Sequence, residues 1–293
     1  MIISTTVLTP AQRTDCDQLI AAAHAADQTH RDPFLSNDYN YYRGMPALFL
    51  AYEAAQLVGV LTLYADDAPG TGSVDINVIV APTWRRQGIA TRLWATARTV
   101  LLRYGYPTVE YSCERRFLLT HPTLTTNAHL HADPDAEWQM VATPQLTPAH
   151  TSQAVRLMVA ADLETLLPAY RQAFPEASEA EARRYLHVNL DAEDVWPVVM
   201  THAGQVIGYC AIDLDDYDYL FGLFVAADQR GQGLGQRFVA LILDLLAKTR
   251  KRPVRLRVTA NNSLAHHVYQ AAGFQDETEV LYLTPQQAPW TVG

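Results

Sequence analysis

The feature that most constrains this chain is a repeat. "VAADQRGQGLGQRF", Val225 to Phe238, has an upstream echo in "VAPTWRRQGIATRL", Val80 to Leu93. Each follows an apolar, strand-like run and opens a helix-like one. Ile89, Leu93, Ala97, Val100, Leu101 and Tyr104 form one apolar stripe, and Leu234, Phe238, Leu241, Ile242 and Leu245 form the other. A chain that passes twice through one order of elements folds as two similar units.

The rest of each pass agrees. In the first, residues 4–9 read as a strand and 15–26 as a helix; "ALFLAYEA" and "QLVGVLTLYA" read as paired strands, "SVDINVIVA" as a buried strand, and "GYPTVEYSC" as the return strand. In the second, "AVRLMVA" is a strand and 161–190 is helical with a break near Phe174-Pro175. "VWPVVMTHA" and "QVIGYCAIDL" form a hairpin around His202-Ala203-Gly204, followed by strands "DYLFGLFVA" and "PVRLRVTA". "WQMVATP" is expected to close the first pass and "LYLTP" the second. "TPQLTPAH" (143–150), with Pro144 and Pro148, reads as the linker, which predicts two α+β domains, 1–145 and 146–293.

Composition narrows the class. The 293 residues are 49% hydrophobic and 18% charged, an ordinary globular balance. A net charge of −9 argues against nucleic acid or an anionic membrane as partner and favours a neutral or cationic substrate. Cys16, Cys113 and Cys210 are odd in number, far apart and without a CxxC, so neither a disulfide scaffold nor a thiolate metal site is expected. No signal peptide and no apolar run of membrane-spanning length stand out, and the expectation is a cytoplasmic protein.

A glycine turn between strand and helix either joins them or binds an anion. The first turn of a helix carries backbone N–H groups without intrahelical partners, and its dipole makes that end partly positive. Glycine keeps the approach bare, as Gly233 and Gly235 do here, and Gly88 with Ala90 upstream; Arg230 and Arg85–Arg86 add charge at the mouth. Two occurrences in one context favour anion binding. No Gly-Lys-Ser/Thr follows, so this is not a P-loop, and Gln236 stands where a dinucleotide-binding turn needs its third glycine.

The spacing Arg-x-x-Gly-x-Gly/Ala in "LFVAADQRGQGLG" and "VIVAPTWRRQGIA" closely resembles the acetyl-CoA motif of the GNAT acyltransferase superfamily. The resemblance implies two tandem GNAT-like domains, each a mixed, mostly antiparallel sheet flanked by helices. It implies backbone at Phe224 and Val225 beside the pantetheine arm, and Arg230, Gly231, Gln232, Gly233, Leu234, Gly235 and Gln236 around the pyrophosphate. In the first half the equivalents are Ile79, Val80, Arg86, Gln87, Gly88, Ile89, Ala90 and Thr91.

A second string, Asn262, Ala265, Tyr269, Gly273 and Phe274 in "NNSLAHHVYQAAGF", also resembles that family's pattern, where the tyrosine protonates the departing coenzyme thiolate. Asn262 is a plausible cap of the helix beginning at Ser263, and Asn262, Ala265 and Tyr269 share one helix face. A phenol, with reference pKa about 10, holds its proton at neutral pH and can donate it. The first half departs from this pattern: aligned on His131-Ala132, Asn127 occupies the tyrosine place, and an amide is no acid. For the base, the resemblance points to the region of "DLDDYDYLFG", with Asp213, Asp215, Asp216 and Asp218. Asp218 and Tyr219 stand nearest the strand start and are the candidates. His266 and His267 lie off the ligand-facing stripe and read as surface residues.

The expectation is acetyl transfer from acetyl-CoA to a primary amine, small molecule or peptide, in the C-terminal domain, by direct attack and without a metal. Two rivals remain: another acyl donor or a non-amine acceptor, and a non-catalytic acyl-CoA-binding module.

Overall fold

The computed structural model describes residues 1–146, 152–215 and 217–286. The chain divides into an N-terminal unit, Met1–Ala136 plus the segment from Thr278 onward, and a C-terminal unit, Glu137–Glu277. The sequence places a single cut at 145/146; the structure has two, and most of the expected linker (147–150) lies outside the described residues.

The N-terminal unit begins with β1 (Ile2–Thr5) and α1 (Pro10–Asp27), then β2 (Leu48–Glu53), β3 (Gln56–Tyr64) and β4 (Val74–Val80). The glycine turn leads into α2 (Ile89–Tyr104), β5 (Val109–Glu114), the short α3 (Arg115–Thr120) and α4 (Leu124–Asn127), and β6 (Leu130–Ala142), which runs on into the C-terminal unit. That unit continues with β7 (Gln153–Leu157), α5 (Leu163–Ala173), α6 (Glu179–Asp191), β8 (Val195–His202), β9 (Gln205–Leu214) and β10 (Asp218–Val225). It ends with α7 (Leu234–Thr249), β11 (Val254–Thr259), α8 (Ser263–Ala271) and the start of β12 (Gln275–Pro285).

Local chemistry explains the boundaries. Thr9 and Gln12 form a capping box that starts α1, and Ser178 and Glu181 form another on α6. Gly105, at φ +81°, ends α2, a left-handed conformation that costs glycine nothing. The helix break expected near Phe174 is the gap between α5 and α6. Of the stripes read from the sequence, Ile89, Leu93, Ala97 and Leu101 are buried in the N-terminal unit, but only Phe238 and Ile242 are in the other, where Val239, Leu243 and Leu246 complete the buried face and Leu234, Leu241 and Leu245 lie half-buried beside it. Each packs on one face of its own sheet.

Within the N-terminal unit the strand order is β1-β2-β3-β4-β5-β12, and within the C-terminal unit β6-β11-β10-β9-β8-β7. The pairs are antiparallel except β4–β5 and β10–β11. The closing strands are exchanged relative to the sequence reading. The tail strand pairs with β5 (Tyr282↔Ser112), and β6 pairs with β11 (Met140↔Leu256). Side-chain alternation fixes which face of a strand is buried, not which edge it joins, so either strand fits either place. No helix among the described residues is long and apolar enough to cross a membrane.

Candidate active site

Both parallel pairs are short. β10 pairs with β11 over Asp218, Tyr219 and Leu220 only, and β4 with β5 over Val74, Asp75 and Ile76. Beyond those residues the strands part, so each unit has a wedge that opens toward its glycine turn.

The two turns share a conformation. Gly231 and Gly233 have φ of +77° and +73°, and Arg86 and Gly88 have +63° and +74°. A Cβ added at Gly88, Gly231 or Gly233 would meet nothing within 4 Å, so neither packing nor a side chain fills the space at these helix starts. Neither α2 nor α7 has a side-chain cap. The N–H groups of Leu234, Gly235 and Gln236, and of Ile89, Ala90 and Thr91, therefore face an open cradle, which fits a pyrophosphate. A glycine in the preceding hairpin brings strand and helix close: a Cβ on Gly59 would lie 2.8 Å from Ile89 Cγ2, and one on Gly208 3.2 Å from Phe238 Cε1. The fourth residue of "QLVGVLTLYA" and of "QVIGYCAIDL" was the readable signal for this approach.

The charges at the two mouths differ. Arg230 Nε donates to the Val225 carbonyl at 3.0 Å, and Arg85 Nε to that of Val80 at 3.1 Å, so each arginine braces its turn. Arg85, the counterpart of Arg230, also grips Asp27 through both terminal nitrogens, at 2.7 and 2.6 Å. Its charge is thereby neutralised. Gln87 lies exposed beside it, and Gln232 is exposed in the other turn. Gln236 donates to the Ala271 carbonyl at 3.0 Å, which ties the start of α7 to the end of α8.

The strands leading to the turns also differ. β4 pairs with β3 without interruption, from Tyr64↔Asp75 to Gly59↔Val80. β10 is one residue longer and bulges between Phe221 and Phe224, with Gly222 at φ +62°. A bulge leaves backbone groups out of the ladder. Besides the backbone that each wedge leaves unpaired where its strands part, the C-terminal unit thus offers further unpaired strand backbone at its bulge.

Tyr269 belongs to the same unit. It sits on α8, packed against the core with its ring 6.0 Å from Phe274, edge to face. Burial holds its phenol well above the usual value near 10, with the Cys210 thiol and the Tyr219 phenol as further causes. Cys210 points at the bulge, its Sγ 3.7 Å from the Phe221 carbonyl oxygen. The Tyr269 hydroxyl has no hydrogen-bond partner among the described residues. Asn262 caps α8, its Oδ1 accepting from the Ala265 N–H at 3.1 Å.

In the N-terminal unit, α3 and α4 stand where a nine-residue α8 stands in the other, and Asn127 ends the four-residue α4. The wedge below is laced by its own chain: Glu114 accepts the N–H groups of His30 and Arg31 at 2.7 and 2.8 Å, and Arg31 reaches Asp75 at 3.0 Å. None of this is readable in the glycine motif.

Asp218 does not reach the wedge mouth. It is fully buried at the opposite end of β10 from Val225, and its Oδ1 is 2.5 Å from Arg250 Nε. Burial raises its pKa more than Arg250 lowers it. It clips the strand start to the segment before β11, and an amine has no route to it. Asp213 and Asp215 lie at the same far end, and Asp216 lies outside the described residues. Tyr219 is half-buried, its hydroxyl accepting from Arg257 Nε at 2.8 Å while Arg257 pairs with Glu137 at 3.2 Å. His266, expected on the surface, is half-buried against Asp276 at 2.7 Å, while His267 is exposed.

Comparison with known proteins agrees with this geometry. The profile of the acetyltransferase (GNAT) family matches residues 14–116 and again 163–274. No curated protein matches the chain. A GCN5-related N-acetyltransferase from Sphaerobacter thermophilus superposes with TM-score 0.72 at 17% identity, covering 98% of this chain and 95% of that one. A tandem GNAT protein from the clavulanic acid biosynthesis pathway gives 0.68 at 17% identity, with both chains covered in full. The N-myristoyltransferase of Saccharomyces cerevisiae gives 0.62 at 12% identity, covering 97% of this chain and 80% of that one. At these identities the structures establish the fold, and the two family matches establish descent: the chain belongs to the acetyltransferase (GNAT) family, as a tandem of two such units.

Proposed function

We propose that the C-terminal unit transfers an acetyl group from acetyl-CoA to a primary amine, with Tyr269 as the acid. The observation that carries this reading is the coincidence, in one unit, of an open turn, a bulged strand and an unpartnered phenol. The N–H groups from Gly231 through Gln236 hold the coenzyme pyrophosphate, and the Phe224–Val225 backbone lies along its pantetheine arm. The neutral amine attacks the thioester carbon, a C–N bond forms and the C–S bond breaks. The departing sulfur takes the Tyr269 proton, the nitrogen gives up its own proton to water, and a proton from water restores the Tyr269 phenol. No covalent acyl-enzyme is needed, and Cys210, buried and with its thiol pKa raised by burial, is no nucleophile. Cys16, Cys113 and Cys210 are free thiols, in keeping with a cytoplasmic setting.

A second reading applies to the N-terminal unit alone. Its turn is intact, but β4 has no bulge, Arg85 is neutralised by Asp27, and α8 has no equivalent of its length. This unit reads as a non-catalytic partner that keeps the coenzyme cradle without the chemistry; its residues there are Ile79, Val80, Arg86, Gln87, Gly88, Ile89, Ala90 and Thr91.

The test is Tyr269→Phe in the full chain, assayed by thiol release from acetyl-CoA with a pool of amines. Turnover should fall about 10²-fold or more, with acetyl-CoA affinity nearly unchanged. An unchanged rate removes Tyr269 from the mechanism, and no release above hydrolysis with any amine removes the transferase reading.

A further inference from the structure

The bulge has a second side. On the sheet face opposite α7 and α8, Tyr185 of α6 stands over Gly222: a Cβ there would run into the Tyr185 hydroxyl. Glycine at 222 therefore meets two demands, a left-handed φ and room for that phenol. The bulge also keeps Phe221 and Phe224 on one face although they are three residues apart, since both contact rings from α5 and α6. The rings run on from there. Tyr185 is edge-on to Phe221 at 6.2 Å and tilted against Tyr170 at 5.3 Å; Tyr170 meets Phe174 at 4.8 Å, and Phe221 stacks on Tyr219 at 6.4 Å. Tyr185, Phe221, Tyr219 and Phe174 are each half-buried, neither sealed in the core nor fully exposed.

From this arrangement we propose that Tyr185 and Phe221 form the recognition wall for the acceptor, and that the acceptor is a small primary amine carried on an aromatic ring. The inference rests on the transferase reading, because it takes the bulge as the place where the thioester is attacked. Half-exposed rings meeting edge to face favour a further ring beside them. The same ring faces attract a protonated amine and hold it at the wedge before it loses its proton. Sugars and polyamines present hydroxyl or ammonium groups along their length, and the wall gives them few partners. Tyr185 is a positioning and specificity residue here; it moves no proton.

The test is binding to the full chain loaded with coenzyme A, and turnover by the full chain with acetyl-CoA, using 2-phenylethylamine, glucosamine, spermidine and a short peptide. Ligand-observed NMR should show 2-phenylethylamine binding most tightly. Tyr185→Phe should leave that affinity within about twofold, and Tyr185→Leu should weaken it roughly three- to tenfold, seen in KM more than in kcat. Should Tyr185→Leu lower the melting temperature sharply, Phe174→Leu at the rim of the wall gives the same readout. Tighter binding of glucosamine or spermidine, or an unchanged affinity in the folded leucine variants, overturns the proposal. Turnover of spermidine or peptide without the aromatic amine sinks the wall and leaves acetyl transfer standing. Binding of the aromatic amine without turnover of any amine does the reverse.

Discussion

Gly233 is a position at which binding and folding can be separated. Its φ of +73° disfavours a side chain, yet a Cβ there meets nothing within 4 Å. Alanine at such a position costs about 1 kcal/mol of stability, and aspartate costs less, because its short polar side chain tolerates the left-handed region. For units of this size 1 kcal/mol is about 2–4 °C in Tm. The cost to the ligand runs the other way. A methyl group narrows the cradle, whereas a carboxylate puts negative charge where the pyrophosphate would lie and competes for the same N–H groups. Losing two charge-assisted hydrogen bonds costs about 3–6 kcal/mol, or roughly 10²- to 10⁴-fold in affinity. The ranks should therefore cross. Thermal melts should order Gly, Asp, Ala, and isothermal titration of coenzyme A into the C-terminal site should order Gly, Ala, Asp. If both variants lose affinity in proportion to lost stability, strain at the turn explains the effect and the cradle argument fails.

Three other outcomes follow from the same geometry. Arg250→Met leaves Asp218 buried without its partner, at a cost of about 3 kcal/mol. Burial favours the protonated carboxyl in the folded state, so that stabilisation is present at low pH and lost as pH rises through the raised pKa; the variant's deficit in Tm should grow from pH 5 to pH 8, and a flat deficit contradicts the assignment. Tyr52, Tyr106 and Tyr111 are pushed up to about 12, as are the Cys16 and Cys113 thiols, all chiefly by burial. The unfolded chain ionises these groups first, near 9 for thiols and 10 for phenols. Urea midpoints should thus hold to about pH 9 and fall above it, and an unchanged midpoint at pH 11 refutes this. Because burial also keeps the Tyr269 proton in place, kcat/KM should rise with pH as the amine deprotonates, with no falling limb below about pH 10; a falling limb near pH 8 would assign the acid to another group.

What the sequence disclosed was local. The turn, its echo, the buried core of the α2 stripe and the Asn262 cap are each fixed within about ten residues of chain, by spacing and by backbone chemistry. What it concealed depends on partners far along the chain. "DYLFGLFVA" reads as an uninterrupted buried strand, and nothing in it says that Gly222 leaves the ladder; the bulge exists only against β9. Asp218 is a candidate base by its place at the strand start, but Arg250, thirty-two residues on, takes it inside. Tyr185 reads as one more position on an amphipathic helix, and its place over Gly222 requires the tertiary fold. The exchanged strands β6 and β12 were misassigned for the same reason, since a strand's own pattern does not name the edge it will join.

The two units therefore differ less in motif than in a single residue of strand length. Val80 and Val225 are 145 positions apart and occupy the same place before their turns, whereas Val74 and Asp218, which begin the same strands and pair with Val109 and Val254, are 144 apart. The extra residue is absorbed between Phe221 and Phe224, and much of the asymmetry is gathered there. It frees strand backbone beside one turn, keeps Phe221 and Phe224 turned toward α5 and α6, and sets Gly222 beneath Tyr185. The N-terminal strand, without the insertion, stays fully laddered to β3, and its wedge is laced by Arg31 and Glu114. In the proposed reading an intact glycine turn speaks to holding a phosphate ligand, in either unit. By the same reading the bulge, with Tyr269 on one side of the sheet and Tyr185 on the other, separates the unit assigned transfer from the one assigned only to hold the coenzyme.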